Sequence, residues 1–304
     1  MSVILFLGSD DPEGWLAEFA RVAPDLDVRT LDEMNDRAAV DVVLGWRHPK
    51  GTSKHYPNLK LISALGAGYE HITDDPERPR GVPVVRLVDV KLTEGMTEYV
   101  LLHVLRYHRQ VPEFEAAQRE RRWHRPQPPD TASRRIGILG LGTLGRDAAR
   151  RLVDLGFPVA GWSRSKKDVP GIEVFHGPDG LDAIALRSDI LVCLLPLNAD
   201  TRGIIDRRLL ARLPRGAYVI NPARGGHVVD ADLIAALDAG HIAGATLDVF
   251  HIEPLPEDHP FWTHPKVTVT PHIASVTNAR SAVPQIVDNI RRMRAGKPLL
   301  NQVD

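Results

Sequence analysis

The stretch from Arg135 to Lys167, RIGILGLGTLGRDAARRLVDLGFPVAGWSRSKK, constrains the fold more than any other part of the chain. Ile136, Ile138 and Leu139 predict a buried strand that ends at Gly140. Leu144, Ala148, Leu152 and Leu155 then recur at helical spacing, and Phe157 to Trp162 predicts a second strand. Between the first strand and the helix, Gly140, Gly142 and Gly145 fit G-x-G-x-x-G in the strand–turn–helix setting that gives the pattern meaning. The first glycine permits the tight turn, the second lets backbone approach a pyrophosphate, and the third lets helix and strand pack closely. Thr143 and Leu144 begin a helix whose N-terminal N–H groups and partial positive charge suit phosphate oxygens. Together these residues predict a dinucleotide site.

The end of the second strand selects the nucleotide. NAD sites place Asp or Glu there, on the adenosine ribose hydroxyls. Here the residues are Ser163, Arg164, Ser165, Lys166 and Lys167, with no carboxylate before Asp168. A carboxylate would repel a 2′-phosphate, whereas Arg164 can pair with one, with Ser163, Ser165 and Lys166 beside it. The expected cofactor is NADP(H) in preference to NAD(H). Pro196 and Ala223, each just past a predicted strand, are further expected cofactor contacts.

At 304 residues the chain is long enough for two domains with separate cores. Its formal net charge of -1 gives no reason to expect nucleic acid or an anionic membrane as a partner. The opening MSVILFLGSDDPEGW has no charged leader region, and its apolar run stops at Gly8, so it predicts a first strand rather than a signal peptide. The single cysteine, Cys193, sits in the apolar run DILVCLLP and predicts a buried thiol. No metal site is expected, and the expected location is the cytoplasm.

Short apolar runs at Val3–Leu7, Val28–Leu31, Val40–Trp46, Leu59–Leu65 and Val82–Val88 predict five strands, with a helix through Trp15 and Phe19. This first region predicts a flavodoxin-like α/β unit. Thr93 to Trp123 predicts a long helical region ended or kinked at Pro112, which suits the first turn of a second helix, followed by a Pro-rich loop from Arg125 to Arg134. Beyond the glycine motif, Ile190–Leu194, Ala217–Asn221, Gly244–Val249 and Val267–Val269 predict further strands of one Rossmann-like sheet. Ala282–Ala295 predicts an amphipathic helix. The fold class is α/β with two parallel-sheet domains.

In open α/β sheets ligands bind beyond the carboxyl ends of the strands. Three successive predicted strands there deliver one ionisable residue each: Arg224 after AYVIN, Glu253 after GATLDVF, and His272 after VTVT. The set suits reduction of a 2-oxo acid. Arg224 offers parallel N–H donors to a carboxylate and a carbonyl oxygen. His272 is the expected proton donor, which also places it at the cofactor, and Glu253 would orient the imidazole and favour its charged form.

The motifs NPARGGHVVD, LDVFHIEPLP and TPHIA resemble the signatures of D-isomer-specific 2-hydroxyacid dehydrogenases. SALGAGYEHI, TEYVLLHVLRYHR, GILGLGTLG, GWSRSKK and the Gln302-Val303-Asp304 ending are most similar to the glyoxylate/hydroxypyruvate reductase A type. The resemblance implies two domains around a cleft. Residues 1–97 and 282–304 would form a discontinuous substrate domain, and 98–281 an NADP-binding Rossmann domain. It also implies NADPH-dependent reduction of glyoxylate or hydroxypyruvate, with Arg224, Glu253 and His272 as the catalytic set. Ala67 and Gly68 would donate backbone N–H groups to the substrate carboxylate together with Arg224. Asp248 would lie near the nicotinamide carboxamide, and the helical region from Thr93 would contribute to a homodimer interface.

Two positions depart from the family pattern: Tyr69 is bulkier than the usual aliphatic residue, and Glu70 replaces an Asp. Trp46 has two readings, a core side chain or a wall of the substrate pocket. The alternatives for the whole chain are a reductase of bulkier 2-oxo acids and a dinucleotide-sensing protein of the corepressor kind. Formate-oxidising relatives carry Gln where Glu253 stands, which favours a hydroxy-acid reaction.

Overall fold

Two all-parallel sheets organise the computed structural model, which describes residues 3–8, 11–46 and 48–303. Met1, Ser2, Ser9, Asp10 and Asp304, which figure in the sequence reading, lie outside the described residues. In chain order the first elements are β1 (Val3–Leu7), α1 (Pro12–Val22), β2 (Asp27–Thr30), β3 (Val40–Gly45), β4 (Leu61–Ala64), α2 (Glu70–Thr73) and β5 (Val84–Val85). Next come α3 (Val90–His108), α4 (Val111–Arg119), β6 (Ile136–Leu139), α5 (Thr143–Asp154), β7 (Val159–Ser163), β8 (Glu173–His176) and α6 (Gly177–Arg187). The remainder are β9 (Ile190–Cys193), α7 (Arg207–Arg212), β10 (Ala217–Asn221), α8 (Asp230–Asp238), β11 (Ile242–Leu247), β12 (Val267–Val269) and α9 (Ala279–Arg294).

The chain divides into two compact units, one built from Met1–Leu92 and Val276–Asp304, the other from Thr93–Ser275. These boundaries lie five and six residues before the expected 97/98 and 281/282.

The first unit has strand order β2-β1-β3-β4-β5, the flavodoxin-like arrangement. Its central strands are continuous apolar runs because helices or loops cover both faces. Ile4, Phe6, Val42 and Leu44 pack with Trp15 and Phe19 of α1 and with Val283, Ile286, Val287 and Ile290 of α9. Leu5, Val43 and Ile62 face Tyr56, Leu59 and Ile72 on the other side. Helix α1 starts where Asp11 accepts a hydrogen bond from the Gly14 N–H at 2.9 Å, with Pro12 in the first turn. The chain's last described residues pair antiparallel with β5: the Val303 N–H donates to the Val84 carbonyl at 3.0 Å.

The second unit has strand order β12-β11-β10-β9-β6-β7-β8, a doubly wound Rossmann arrangement with its switch point between β6 and β9. Met96, Val100 and Val104 of α3 join Ala148 and Leu152 of α5 on one face, against Ile136, Ile138, Ile190 and Val192. Helices α6, α7 and α8 cover the other face through Leu181, Leu209, Leu210, Leu233 and Leu237.

As expected, the Thr93 to Trp123 region breaks at Pro112: Gln110 adopts a left-handed conformation (φ 57°) and Pro112 sits in the first turn of a second helix, α4. Other expectations change. Leu155 follows the end of α5 and is exposed rather than facing the core. Leu31 leaves β2 for a 3₁₀ turn, and Trp46 lies beyond β3. Strand β8 and helix α6 were not foreseen at all.

Candidate active site

The glycine turn after β6 is shaped by three different demands. Gly140 has φ +104°, and a Cβ there would lie 2.6 Å from the Leu194 carbonyl oxygen, just past β9. A Cβ on Gly145 would meet the Gly140 carbonyl oxygen at 1.9 Å, so α5 can approach the turn only with hydrogen at that place. Gly142 differs: its Cβ would enter open space. It is the N-cap of α5, supplies no side-chain cap, and no acidic residue follows in the first turn. This combination fits a dinucleotide's pyrophosphate: N–H groups of Thr143, Leu144 and Gly145 without internal partners, and room beside the middle glycine.

Two cations hold the turn in a way the sequence reading did not anticipate, Lys167 of the basic turn and Arg146. Arg146 Nε and Lys167 Nζ donate to the Leu141 carbonyl at 3.0 and 3.2 Å. Burial, and then the charge of Arg146, lower the Lys167 pKa. At the end of β7, Ser163 is buried and its hydroxyl donates to the Ser165 carbonyl at 2.7 Å, shaping the basic turn. Arg164, Ser165 and Lys166 are exposed. Arg164 lies 3.5 Å from Asp200 with both side chains mostly in water, a pairing too weak to fix it.

The structure brings the three expected catalytic side chains' loops to the carboxyl edge of β10, β11 and β12. His272 Nδ1 and Glu253 Oε2 are 2.7 Å apart. The other carboxylate oxygen, Glu253 Oε1, accepts the Phe250 N–H at 2.9 Å, which fixes the carboxylate's orientation. Glu253 also precedes a cis proline, Pro254. The loop bearing Arg224 packs on the loop bearing Glu253 through Gly225, whose Cβ would fall 2.0 Å from the Phe250 carbonyl carbon. Arg224 is half-buried, and its Nη1 donates to the Ala223 carbonyl at 2.6 Å. Asn221 Nδ2 in turn holds the Arg224 carbonyl at 2.9 Å. Ala223 is buried, with its N–H on Asn221 Oδ1, and Pro196 is exposed with its carbonyl accepting the Thr201 hydroxyl.

His272 has φ +56°, a left-handed conformation that costs a non-glycine residue about 1 kcal/mol or more. Asp248, fully buried, holds it there. Its carbonyl accepts the His272 N–H at 2.8 Å, its Oδ1 the Ile273 N–H at 2.9 Å, and its Oδ2 the Ala274 N–H at 2.8 Å. Thr270 Oγ1 donates to Oδ1 at 2.6 Å. Burial pushes the Asp248 carboxyl pKa up, against the hydrogen bonds from Thr270, Ala274 and Ile273. Family resemblance placed this carboxylate near a nicotinamide; within the unit, it orders the histidine loop.

In the first unit, Ala67 and Gly68 follow β4, and no described residue accepts their N–H groups. The Trp46 indole lies against this loop, since a Cβ on Gly66 would meet its Cζ3 at 2.8 Å. It also meets the His71 ring edge-on at 5.1 Å. Tyr69 packs on the unit's own core beside Leu5 and Ile62, and Glu70 opens α2.

Comparison with known proteins places this geometry. A family model described as D-isomer specific 2-hydroxyacid dehydrogenase, NAD binding domain, matches residues 101–274. Glyoxylate/hydroxypyruvate reductase A of Serratia proteamaculans (strain 568) is 41% identical over 309 residues, covering 100% of this chain and 98% of the relative. A D-isomer specific 2-hydroxyacid dehydrogenase from Xanthobacter autotrophicus Py2, solved with NADPH and MES, superposes with a TM-score of 0.94 at 46% identity, covering 100% of this chain and 98% of that one. The NADPH-dependent glyoxylate/hydroxypyruvate reductase of Sinorhizobium meliloti, solved with NADP and sulfate, gives a TM-score of 0.94 at 38% identity with the same coverage. The chain belongs to the D-isomer specific 2-hydroxyacid dehydrogenase family.

Proposed function

We propose that this protein is an NADPH-dependent reductase of small 2-oxo acids, with glyoxylate and hydroxypyruvate as the expected substrates. The observation that carries the reading is the Glu253–His272 pair at 2.7 Å, with the Arg224 loop packed on the same segment at Gly225. NADPH supplies the hydride when bound. The glycine turn from Gly140 to Gly145 is assigned to its pyrophosphate, and Arg164, with Ser165 and Lys166, to its 2′-phosphate. The complexes of the Xanthobacter and Sinorhizobium proteins support that choice of nucleotide.

His272 is the proton donor. Glu253 engages Nδ1, so the proton handed to the carbonyl oxygen comes from Nε2 as the carbonyl carbon accepts hydride. Glu253 fixes the orientation of the imidazole through its contact with Nδ1, its own carboxylate held by the Phe250 N–H. Arg224 holds the substrate carboxylate and polarises its carbonyl. In the oxidising direction His272 acts as the base. Leu102, Leu105 and Phe114, exposed on α3 and α4, are assigned to a homodimer contact, which light scattering in solution tests.

Initial rates with glyoxylate, hydroxypyruvate, pyruvate and phenylpyruvate, each with NADPH and NADH, test the proposal. Fast turnover of glyoxylate and hydroxypyruvate with NADPH is expected. Faster phenylpyruvate reduction would favour a bulkier substrate. Tight NADPH binding without any turnover would favour a dinucleotide sensor. Arg164→Asp is expected to move the NADPH/NADH preference toward NADH by about tenfold or more; an unchanged ratio removes Arg164 from the phosphate site.

A further inference from the structure

We propose that Tyr99 on α3 is a positioning residue for His272, acting through Thr270 and Asp248 by a directional chain of buried hydrogen bonds. The proposal rests on the assignment of His272 as proton donor. Tyr99 Oη and Thr270 Oγ1 are 2.7 Å apart, and Thr270 Oγ1 and Asp248 Oδ1 are 2.6 Å apart. A carboxylate only accepts, so the Thr270 hydroxyl donates to Asp248. That hydroxyl has one proton, so the Tyr99 O–H must donate to Thr270. The direction of the relay is therefore set: Tyr99 to Thr270 to Asp248.

The Asp248 carboxylate also receives the backbone N–H groups of Ile273 and Ala274, and its backbone carbonyl that of His272. These bonds hold the left-handed turn that aims the imidazole at Glu253. Helix α3 supports the same loop by packing. Met96, Tyr99 and Val100 share a core with Ala274, and Gly95 passes the Ser275 side chain closely enough that its Cβ would be 3.4 Å from Oγ. The Tyr99 ring rests on His103 at 4.3 Å, so the phenol has little freedom to turn away. Burial also pushes the Tyr99 hydroxyl pKa up and keeps it a donor at any working pH. Tyr99 touches none of the reacting groups. Its contribution is to a backbone conformation that His272 would not adopt unaided, and a low-dielectric chain of this kind strengthens each of its bonds.

The test combines turnover with a signature independent of substrate. In Tyr99→Phe, which removes one oxygen and keeps the ring, kcat is expected to fall about fivefold while KM for NADPH and for the 2-oxo acid stays within about twofold. Thr270→Val should lower kcat at least as much, and adding Tyr99→Phe to it should cost little more, because the two act on one chain. Thr270→Ser, which keeps the hydroxyl, should restore most of the rate. In the substrate-free protein, the downfield proton resonance of His272 Nδ1–H against Glu253 should broaden or vanish in Tyr99→Phe. Loss of that resonance in a protein with native near-UV circular dichroism supports the relay even if no 2-oxo acid is turned over, a result that would overturn the reductase reading alone. An unchanged kcat and an unchanged resonance in Tyr99→Phe, with active wild type, overturn the relay. Additive losses in the double variant overturn it as well.

Discussion

The glycine turn after β6 and the histidine turn after β12 stand on the same edge of one sheet and are built on opposite principles. In the glycine turn, side chains are absent where backbone crowds, at Gly140 and Gly145, and where space is kept open, at Gly142. The first N–H groups of α5 have no internal partner. In the histidine turn every one of three successive N–H groups is taken by Asp248. One turn therefore offers its backbone to a ligand, and the other uses its backbone to aim a side chain. The difference teaches where substitutions should damage affinity and where they should damage rate.

The largest expected effect breaks the contrast at the aimed side chain. His272→Ala should lower kcat by about two orders of magnitude or more, leaving the NADPH Kd, read by fluorescence titration, nearly unchanged. A comparable loss of NADPH affinity would mean that the two turns are not separable. Next, Gly145→Ala forces a methyl group toward the Gly140 carbonyl and should destabilise the protein by about 2 kcal/mol, measured by urea unfolding. Native stability in that variant would show that α5 can retreat from the turn. A smaller change should follow in Gly142→Ala, where the space is open: unaltered stability, but an NADPH Kd about tenfold weaker. Unaltered affinity there would remove the pyrophosphate from this turn.

The smallest effect lies beneath the histidine turn. Burial lowers the His103 pKa to about 4. The unfolded chain, with a histidine near 6.5, then binds a proton that the folded protein refuses. The stability is present in full above about pH 6.5 and is lost progressively as pH falls toward 4. By pH 6 the loss relative to pH 8 should be about 1 kcal/mol, and His103→Gln should remove that increment from the urea midpoints. An identical pH dependence in the variant would assign the titration to another group.

Much of this architecture was legible beforehand because it rests on periodicity and on glycine. Ile136 to Leu139, the glycine triplet and the helical stripe through Ala148 and Leu152 stand where the sequence placed them. So do the strands that lead to Arg224 and His272, while β11, which leads to Glu253, begins and ends two residues earlier than expected. Strand β8 and helix α6 escaped notice because Glu173 and His176 are exposed on an edge strand, which leaves no apolar run to read. The grip of Arg146 and Lys167 on Leu141 was invisible because it depends on where two long side chains fold back. The histidine turn was hidden for a different reason. A left-handed φ at His272 and three N–H groups converging on Asp248 are properties of backbone conformation, and the residue letters TPHIA do not encode them without the neighbouring strand. Leu155 shows the opposite error, an apolar residue counted into a stripe although the helix has already ended.

Helix α9 belongs to the first unit yet is translated only after the entire second unit. Until it emerges from the ribosome, Phe6, Trp15, Phe19, Val42 and Leu44 lack the cover that Val283, Ile286, Val287 and Ile290 later provide. The second unit has all of its strands in one uninterrupted segment and can complete its sheet earlier. Biosynthesis should therefore yield a nascent chain whose middle is folded while its beginning still waits for α9, and in that interval the first sheet is the part that chaperones must shield.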